Sequence, residues 1–413
     1  MADGAAALGG DQVTQDYVLP DPEQVRRGEE MRERVRALLP TIAANAGKAE
    51  ADRRVPDENI RLLKAAGFTR ALQPLAYGGL ELSPEQYCPV VVDIAGACAS
   101  TAWVAGLLAQ HAHGLALMSK DVQDEVWREP DTLVSSSVAP INEAVPVPGG
   151  VRLSGRFGWS SGCDHAQWAC LGFRMPVAEM GGMMLPFYAL VPRGDYAIVD
   201  DWHVAGLCGT GSKTLEVRDA FVPDHRIDSI IAMNTGASKG FGLHDGGIYR
   251  AAFVPYFSFG FSAVAVGVAR RFLEVYRDKI AGRARAYTGA RVAESAPAYM
   301  RLAEASHMVR AAYATLSQDW REIASRSRSG RLPSPAELAM WRTNQAYATR
   351  TAIEAVNILF SGSGGSAWFS HNEMQRLWRD ANMAGAHAYS DYDVATQRLG
   401  RDLLGLDPDM AIY

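Results

Sequence analysis

The stretch Trp159-Ser160-Ser161-Gly162-Cys163-Asp164-His165 places an indole, two hydroxyls and an imidazole within seven residues. An indole offers a flat apolar face and hydroxyls offer donors and acceptors, so the segment suits the wall of a flat, hydrogen-bonding cofactor. A strand end closed by a Ser-Gly turn uses the same letters, and the segment alone does not separate the two. His111 and His113 supply imidazoles, whose proton affinity near neutrality suits acid–base work. Their spacing of two does not suit a metal, because ligands on one helix face stand three or four apart. The five cysteines, Cys88, Cys98, Cys163, Cys170 and Cys208, form no CxxC pair and no zinc-type spacing with histidine. Reduced thiols and no metal site are expected.

Three short motifs fail on context. Gly206-Leu207-Cys208-Gly209-Thr210-Gly211-Ser212-Lys213-Thr214 has the look of a phosphate loop, but its lysine stands one place late and the following residues read as strand, not helix. Gly362-Ser363-Gly364-Gly365-Ser366-Ala367 follows a helical stretch, whereas a dinucleotide turn must follow a strand. Its amides either approach a phosphate or simply turn the chain between helices. Gly158-Trp159-Ser160-Ser161-Gly162 spells a nucleophile elbow, which needs a helix directly after it. The next element is instead the apolar run 168–173, and His111 precedes the serine.

These groups need elements to hold them. From 22 to 48, Met31, Val35, Leu38, Leu39 and Ile42 recur every three to four residues, the pattern of an amphipathic helix. A second helix starts near Pro56 and stops at Gly67, and helices over about 84–109 and 120–128 complete a helical first third. After Pro130, short apolar runs at 133–138, 151–153, 168–173, 187–191, 197–199 and 214–217 alternate with Pro, Gly and Asp, as in an antiparallel β unit. Beyond a Gly-rich connection at 235–247, helices are expected over about 257–286, 297–327, 334–360 and 372–384, with Ser334, Pro335 and Glu337 as a helix start. The fold class is therefore α+β, mostly α. A helical domain (1–132) leads to a β-barrel or sandwich (133–233) and then to a helical bundle (234–413) able to carry oligomer contacts.

A chain of 413 residues with 48% hydrophobic content supports a core of that size. A net charge of -5 with scattered Lys and Arg argues against a nucleic-acid partner. The amino terminus lacks a basic n-region and an apolar h-region, so a frayed tail and no secretory signal are expected. The Ala-rich stretch 94–118 is interrupted by Ser100, Gln110, His111 and His113, and no run approaches about 18 apolar residues. A cytoplasmic protein without a membrane partner follows.

Longer strings are more specific. They are Arg53-Arg54-Val55-Pro56-Asp57-Glu58-Asn59-Ile60, Gly96-Ala97-Cys98-Ala99-Ser100-Thr101-Ala102-Trp103, and Gly158-Trp159-Ser160-Ser161-Gly162-Cys163-Asp164-His165-Ala166. Further on come Arg285-Ala286-Tyr287-Thr288-Gly289-Ala290, Trp341-Arg342-Thr343-Asn344-Gln345-Ala346-Tyr347-Ala348 and Gly385-Ala386-His387-Ala388-Tyr389-Ser390-Asp391-Tyr392-Asp393. On these, from about residue 35 to the carboxyl end, the chain resembles the flavin-dependent phenol hydroxylases of the acyl-CoA dehydrogenase fold. Within them it is similar to the oxygenase components of the two-component p-hydroxyphenylacetate 3-hydroxylase type.

The resemblance implies a helical domain, a β domain and a C-terminal four-helix bundle, assembled as a homotetramer. It implies free reduced flavin, FMNH2 with FADH2 as a second candidate, delivered by diffusion from a separate NAD(P)H-dependent reductase. The implied reaction adds O2 at flavin C4a, and the hydroperoxide then passes its distal oxygen to a phenol ortho to its hydroxyl. Ser161 would stand at flavin N5 and disfavour loss of H2O2. His111 would be the base beside the phenol, because phenolate attacks faster than phenol. Ser136 would contact substrate and flavin, with Ser137 and Ser160 beside the cofactor. Trp103 and Trp159 would flank the isoalloxazine, Arg283 would hold the FMN phosphate with Tyr287 nearby, and Ser366 would reach flavin from a neighbouring subunit. His387, with Tyr389 in the same segment, would offer the reduced flavin a cation or donor.

Tyr256 and Phe257 would wall the substrate. Members that take a phenol bearing a carboxylate hold it partly through an arginine in the strand before Pro-Tyr-Phe. Here that position is Val254, with Arg250 nearby, so a less charged or bulkier phenol is expected. An acyl-CoA dehydrogenase would need a glutamate in a Tyr-Glu-Gly-Thr type segment, and His387-Ala388-Tyr389-Ser390-Asp391 stands in that region instead. Oxygen transfer to nitrogen, sulfur or a polycyclic phenol would need little change. A non-enzymatic flavin binder is opposed by Ser161, His111 and His387 occurring together.

Overall fold

Asp21 caps the first helix by accepting the Glu23 N–H at 3.2 Å, and Pro22 pre-sets its first turn. Helix α1 (Pro22–Ala44) buries Met31, Val35 and Ile42, the stripe that the spacing predicts. The computed structural model describes residues 17–406, so the tail expected to fray lies outside the described residues. After a break at Asn45 the chain continues as α2 (Ala46–Asp52) and α3 (Asp57–Ala65). The single helix expected over 84–109 is two helices, α4 (Pro84–Ala97) and α5 (Ala99–Ala116). The hinge is Cys98, extended at φ -157 and ψ 110, which sequence periodicity cannot mark because apolar residues run through both helices. Every residue of α5 is buried, as a helix without a polar face requires. Helix α6 (Lys120–Val126) closes this part.

Strands β1 (Val134–Val147), β2 (Gly150–Ser160), β3 (Trp168–Val177), β4 (Met183–Pro192), β5 (Tyr196–Val199), β6 (Lys213–Pro223) and β7 (Ile227–Ser229) form one sheet in the order β5-β6-β2-β1-β3-β4-β7. The expected antiparallel pairing needs one correction, since β1 and β3 run parallel from Val134↔Trp168 to Ser137↔Leu171. Strand β1 then shifts register before Asn142 and pairs with β2 through Ala144–Val147, so one long strand serves both halves. Leu153 and Phe157 of β2, Leu171 and Phe173 of β3, and Leu215 of β6 share one buried core.

Helices α7 (Ile230–Thr235), α8 (Phe253–Ala281), α9 (Ala296–Arg328), α10 (Pro335–Ser361), α11 (Glu373–Ala384) and α12 (Tyr392–Leu403) follow. Helix α8 starts at Phe253, earlier than the expected 257, and α12 has no counterpart in the sequence expectation. The Ser334–Glu337 start of α10 is a capping box, with the Glu337 N–H donating to Ser334 Oγ at 3.2 Å and the Ser334 N–H donating to Glu337 Oε2 at 2.8 Å. Helix α8 is long and apolar enough to cross a membrane by length and composition, yet 89% of its most apolar window is buried in the protein. It is the core helix. Its Val264 and Val268 join Val91 and Ala95 of α4 in a single core shared by the amino-terminal and carboxyl-terminal helices.

Candidate active site

Helix α5 carries His111 against the start of β1. Nδ1 of His111 lies 2.5 Å from the Val134 carbonyl oxygen, which can only accept, so Nδ1 holds the ring proton. In the neutral ring Nε2 then accepts, and the Ser136 hydroxyl donates to it at 2.8 Å. Burial holds this imidazole neutral and pushes its pKa down to about 4, against the opposing pull of the Val134 bond. The ring stacks on Phe257, with centroids 5.9 Å apart. A small cavity of about 20 Å³ opens beside it, lined by His111, Ser136, Met118, Leu190, Met233 and Phe253 among others. No lysine, arginine or carboxylate among the described residues lines it.

Eight residues earlier on α5, roughly 12 Å along the axis, Trp103 donates its indole N–H to Ser161 Oγ at 3.2 Å. The same indole meets His387 edge-on at 5.5 Å. His387 stacks on Phe261 at 3.8 Å and lies near-parallel to Tyr389 at 5.9 Å. Its Nδ1 accepts the Tyr389 N–H at 3.2 Å, which leaves the proton of the neutral ring on Nε2. Burial first, then the Arg342 charge, lower the pKa of His387 to about 4. Without a ligand His387 is therefore neutral, with Nε2–H as its donor. Phe253, Phe257 and Phe261, four apart on α8, stack or meet edge-on at 5.3 and 5.8 Å and join the His111 centre to the His387 centre.

The turn after β2 aims Ser161. Trp159 takes a left-handed φ of 65, the Ser161 N–H donates back to the Trp159 carbonyl at 2.9 Å, and the Gly162 N–H donates to Thr210 O at 3.0 Å. Gly162 itself sits at φ 70, and a β-carbon there would lie 2.7 Å from Val104 Cγ1. Gly162→Ala is expected to lower stability by about 2 kcal/mol. The measurement is the urea midpoint at constant m-value, and an unmoved midpoint would mean that the turn relaxes freely. Trp159 is 71% exposed and meets Trp202 edge-on at 5.4 Å.

Other expected site residues go elsewhere. Ser160 donates to Ser135 Oγ at 3.1 Å and Ser137 to Gly158 O at 2.7 Å, so both hydroxyls tie β1 to β2. Tyr256 points away from the cavity, stacked on His113 at 4.2 Å with its hydroxyl donating to Ser327 Oγ at 2.7 Å. Val254 lies in the first turn of α8, not in a strand, and its N–H donates to Asn234 Oδ1 at 2.9 Å. Helix geometry puts Phe253 and Phe257 on the cavity side, while Val254 and Tyr256 point elsewhere. Arg250 is exposed. Asp164 pairs with Lys213 at 3.0 Å and His165 with Asp57 at 3.3 Å, which turns that end of the opening stretch toward α3. Arg283 donates to Gly362 O at 3.2 Å and lies against Gly364, where a side chain would collide with its guanidinium. Tyr287 is fully exposed, and Ser366 lies in the turn Gly365–Trp368. This group stands beyond the end of α8, roughly 30 Å along that helix from Phe261.

Two hydroxyls escaped the sequence reading. Ser212 Oγ lies 2.7 Å from Ser161 Oγ and 2.8 Å from Thr210 Oγ1. Both belong to the Gly206–Thr214 segment that fails as a phosphate loop, and no local signal links them to Ser161. Phe253 and Phe261 did have a signal, the four-residue spacing around Phe257.

Comparison with known proteins places this geometry. Residues 26–129 match the family model "Acyl-CoA dehydrogenase, N-terminal domain", and residues 259–392 match "Acyl-CoA dehydrogenase, C-terminal domain". The chain is 47% identical over 384 residues to the p-hydroxyphenylacetate 3-hydroxylase oxygenase component of Acinetobacter baumannii, covering 92% of this chain and 90% of that protein. It is 34% identical to the FADH(2)-dependent resorcinol hydroxylase oxygenase component of a Rhizobium species, covering 94% and 97%. The crystal structure of 3-HSA hydroxylase from Rhodococcus sp. RHA1 superposes with a TM-score of 0.88 at 35% identity, covering 93% and 99%.

Proposed function

The chain belongs to the oxygenase components of two-component flavin-dependent monooxygenases on the acyl-CoA dehydrogenase fold, and from that membership we propose a hydroxylase of uncharged phenols whose ring is bound in the cavity beside His111. As a member of that family it is an enzyme that uses reduced flavin and O2 on a phenolic small molecule, with a separate reductase as partner. Reduced FMN is the proposed flavin, with FADH2 the second candidate, and a cytoplasmic site is proposed with it. Amino-terminal helices (1–132) supply Trp103 and His111, the β part (133–233) supplies Ser136 and Ser161, and the bundle (234–413) supplies His387.

The residues fit a flavin ring. Ser161 Oγ and the Nε2–H of His387 flank one indole, that of Trp103, and offer a donor and acceptor pair beside a flat apolar surface. Trp159 presents a second, exposed indole from the same turn as Ser161. Bound there, reduced flavin supplies the oxygen-activating chemistry. His111 Nε2 takes the phenol proton, directly or through the Ser136 hydroxyl, and so raises electron density at the ortho carbon. Met118, Leu190, Met233 and Phe253 exclude water around that ring. Ser161 Oγ, positioned by the Trp103 indole, would hold a proton at flavin N5, and the Nε2–H of His387 would donate to the reduced ring.

The observation that carries this reading is the buried, neutral His111, whose backbone bond turns Nε2 toward Ser136 and the cavity. Such a base serves a phenol, whereas a neutral nitrogen or sulfur nucleophile does not need one. Acyl-CoA dehydrogenation is disfavoured because no carboxylate among the described residues lines the cavity. Arg283, Tyr287 and Ser366 stand too far along α8 to reach the same flavin within one chain, which supports a homotetramer in which a neighbouring subunit brings them to it.

A product screen with any FMN reductase tests the substrate class. Uncharged phenols should be favoured over carboxylate-bearing ones in kcat/KM on the order of 100-fold, because a carboxylate in this cavity has no cation partner. Hydroxylation confined to carboxylate-bearing phenols would overturn the assignment.

A further inference from the structure

Three hydroxyls bridge two groups of fixed polarity. At one end the Trp103 indole N–H can only donate, and it does so to Ser161 Oγ at 3.2 Å. At the other end the Leu207 carbonyl can only accept, and the Thr210 hydroxyl donates to it at 2.8 Å. Between them Ser161, Ser212 and Thr210 stand 2.7 and 2.8 Å apart. Each hydroxyl has one hydrogen. Thr210 spends its own on Leu207, so it accepts from Ser212. Ser212 then accepts from Ser161, and Ser161 accepts from Trp103.

All three hydroxyls are buried, and their carbonyl terminus is held firmly. Leu207 takes a left-handed φ of 50, its N–H donates to the buried Asp380 Oδ1 at 2.6 Å, and its carbonyl also accepts the Thr210 N–H at 3.0 Å and the Trp202 indole N–H at 3.3 Å. Reversing the chain would strip the Thr210 hydroxyl from that carbonyl. Alignment of successive hydroxyl dipoles strengthens each bond in the one direction that satisfies both ends.

We propose that Ser212 and Thr210 are positioning residues that lock the Ser161 hydrogen away from the cofactor, so that Ser161 presents a lone pair to bound flavin. This rests on the flavin reading given above. A lone pair at that atom accepts N5–H of the reduced ring and repels the bare N5 of the oxidised ring. The hydroxyl chain therefore selects the reduced form of the cofactor and holds the N5 proton in place, two properties an oxygenase fed with free reduced flavin needs.

The test compares Ser212→Ala, Thr210→Val and the conservative Thr210→Ser, each alone and Ser212→Ala also in a Ser161→Ala background. Dissociation constants for oxidised and reduced FMN are measured anaerobically. Ser212→Ala frees the Ser161 hydrogen to donate to oxidised N5, so the preference for reduced over oxidised FMN should fall about tenfold. Thr210→Val should lower it in the same direction, and Thr210→Ser should restore it. A packing defect would weaken both redox forms alike. In Ser161→Ala the added Ser212→Ala change should have no further effect on the ratio, because the influence passes through Ser161.

The free protein gives a readout independent of flavin. The Trp103 indole N–H resonance, assigned by its loss in Trp103→Phe, should move upfield in Ser212→Ala as its acceptor loses the aligned chain. An unchanged redox preference in Ser212→Ala, or an effect that persists without Ser161, overturns the proposal. Failure of the wild-type protein to bind reduced FMN would instead strike the flavin reading, and the indole resonance would still decide the direction of the chain.

Discussion

Ser161→Ala is expected to consume reduced flavin and O2 at a normal rate of binding but to release hydrogen peroxide in place of hydroxylated product. Ser161 Oγ is buried, accepts the Trp103 indole N–H at 3.2 Å and lies 2.7 Å from Ser212 Oγ, so its position is set from two sides before any ligand arrives. A preorganised polar group in a water-excluded site contributes about 100-fold in rate when it acts on a developing charge or a labile proton. Peroxide release should accelerate by about that factor, and product per reduced flavin should collapse. Alanine fits the space and loses hydrogen bonds costing about 1–3 kcal/mol, which a chain with this core tolerates. The check is the ratio of product to peroxide, read by chromatography and a peroxidase-coupled assay. Unchanged product yield in a folded variant would remove Ser161 from the oxygen-protecting role.

The second large effect is at His111. His111→Asn should lower kcat/KM for an ordinary phenol by about 1000-fold while leaving flavin binding intact, because general-base assistance is lost and nothing else in the cavity lining replaces it. Phenols acidic enough to be ionised at the assay pH should recover most of the loss, which a merely structural histidine would not allow. The pH profile carries a second expectation. Burial lowers the pKa of His111 to about 4, so the base form predominates well below the usual histidine range, and activity is lost only as pH falls through about 4. The acid limb of kcat/KM, which reports the free enzyme, should therefore lie well below 6.5. A limb at 6.5 that disappears in His111→Asn would show that the free-state imidazole is hydrated, contrary to the structure.

The helical thirds and the β middle were legible because periodicity records which face of an element is buried, as Met31, Val35 and Ile42 do on α1. Periodicity failed where burial surrounds an element. It ran α4 and α5 together across Cys98, and it began α8 at Phe257, four residues late, which detached Phe253 from the cavity face. The family resemblance put Val254 in a strand and Tyr256 on the substrate, whereas the helix turns both elsewhere and leaves Phe253 on the cavity and Phe257 against His111. The family strings identified His111, Ser136, Trp103, Ser161 and His387, and the fold brings these together around α5.

By itself the sequence determined the element types and the chemistry available at Ser161, His111 and His387, since these follow from residue type and local spacing. Tertiary structure decided the rest. Which nitrogen of His111 carries the proton depends on a carbonyl at Val134, and the direction of the Ser161 hydrogen depends on Trp103 at one end and Leu207 at the other. Hydrogen-bond direction is set by partners brought from distant parts of the chain, and no spacing along the chain encodes which of them will be an obligate donor or an obligate acceptor.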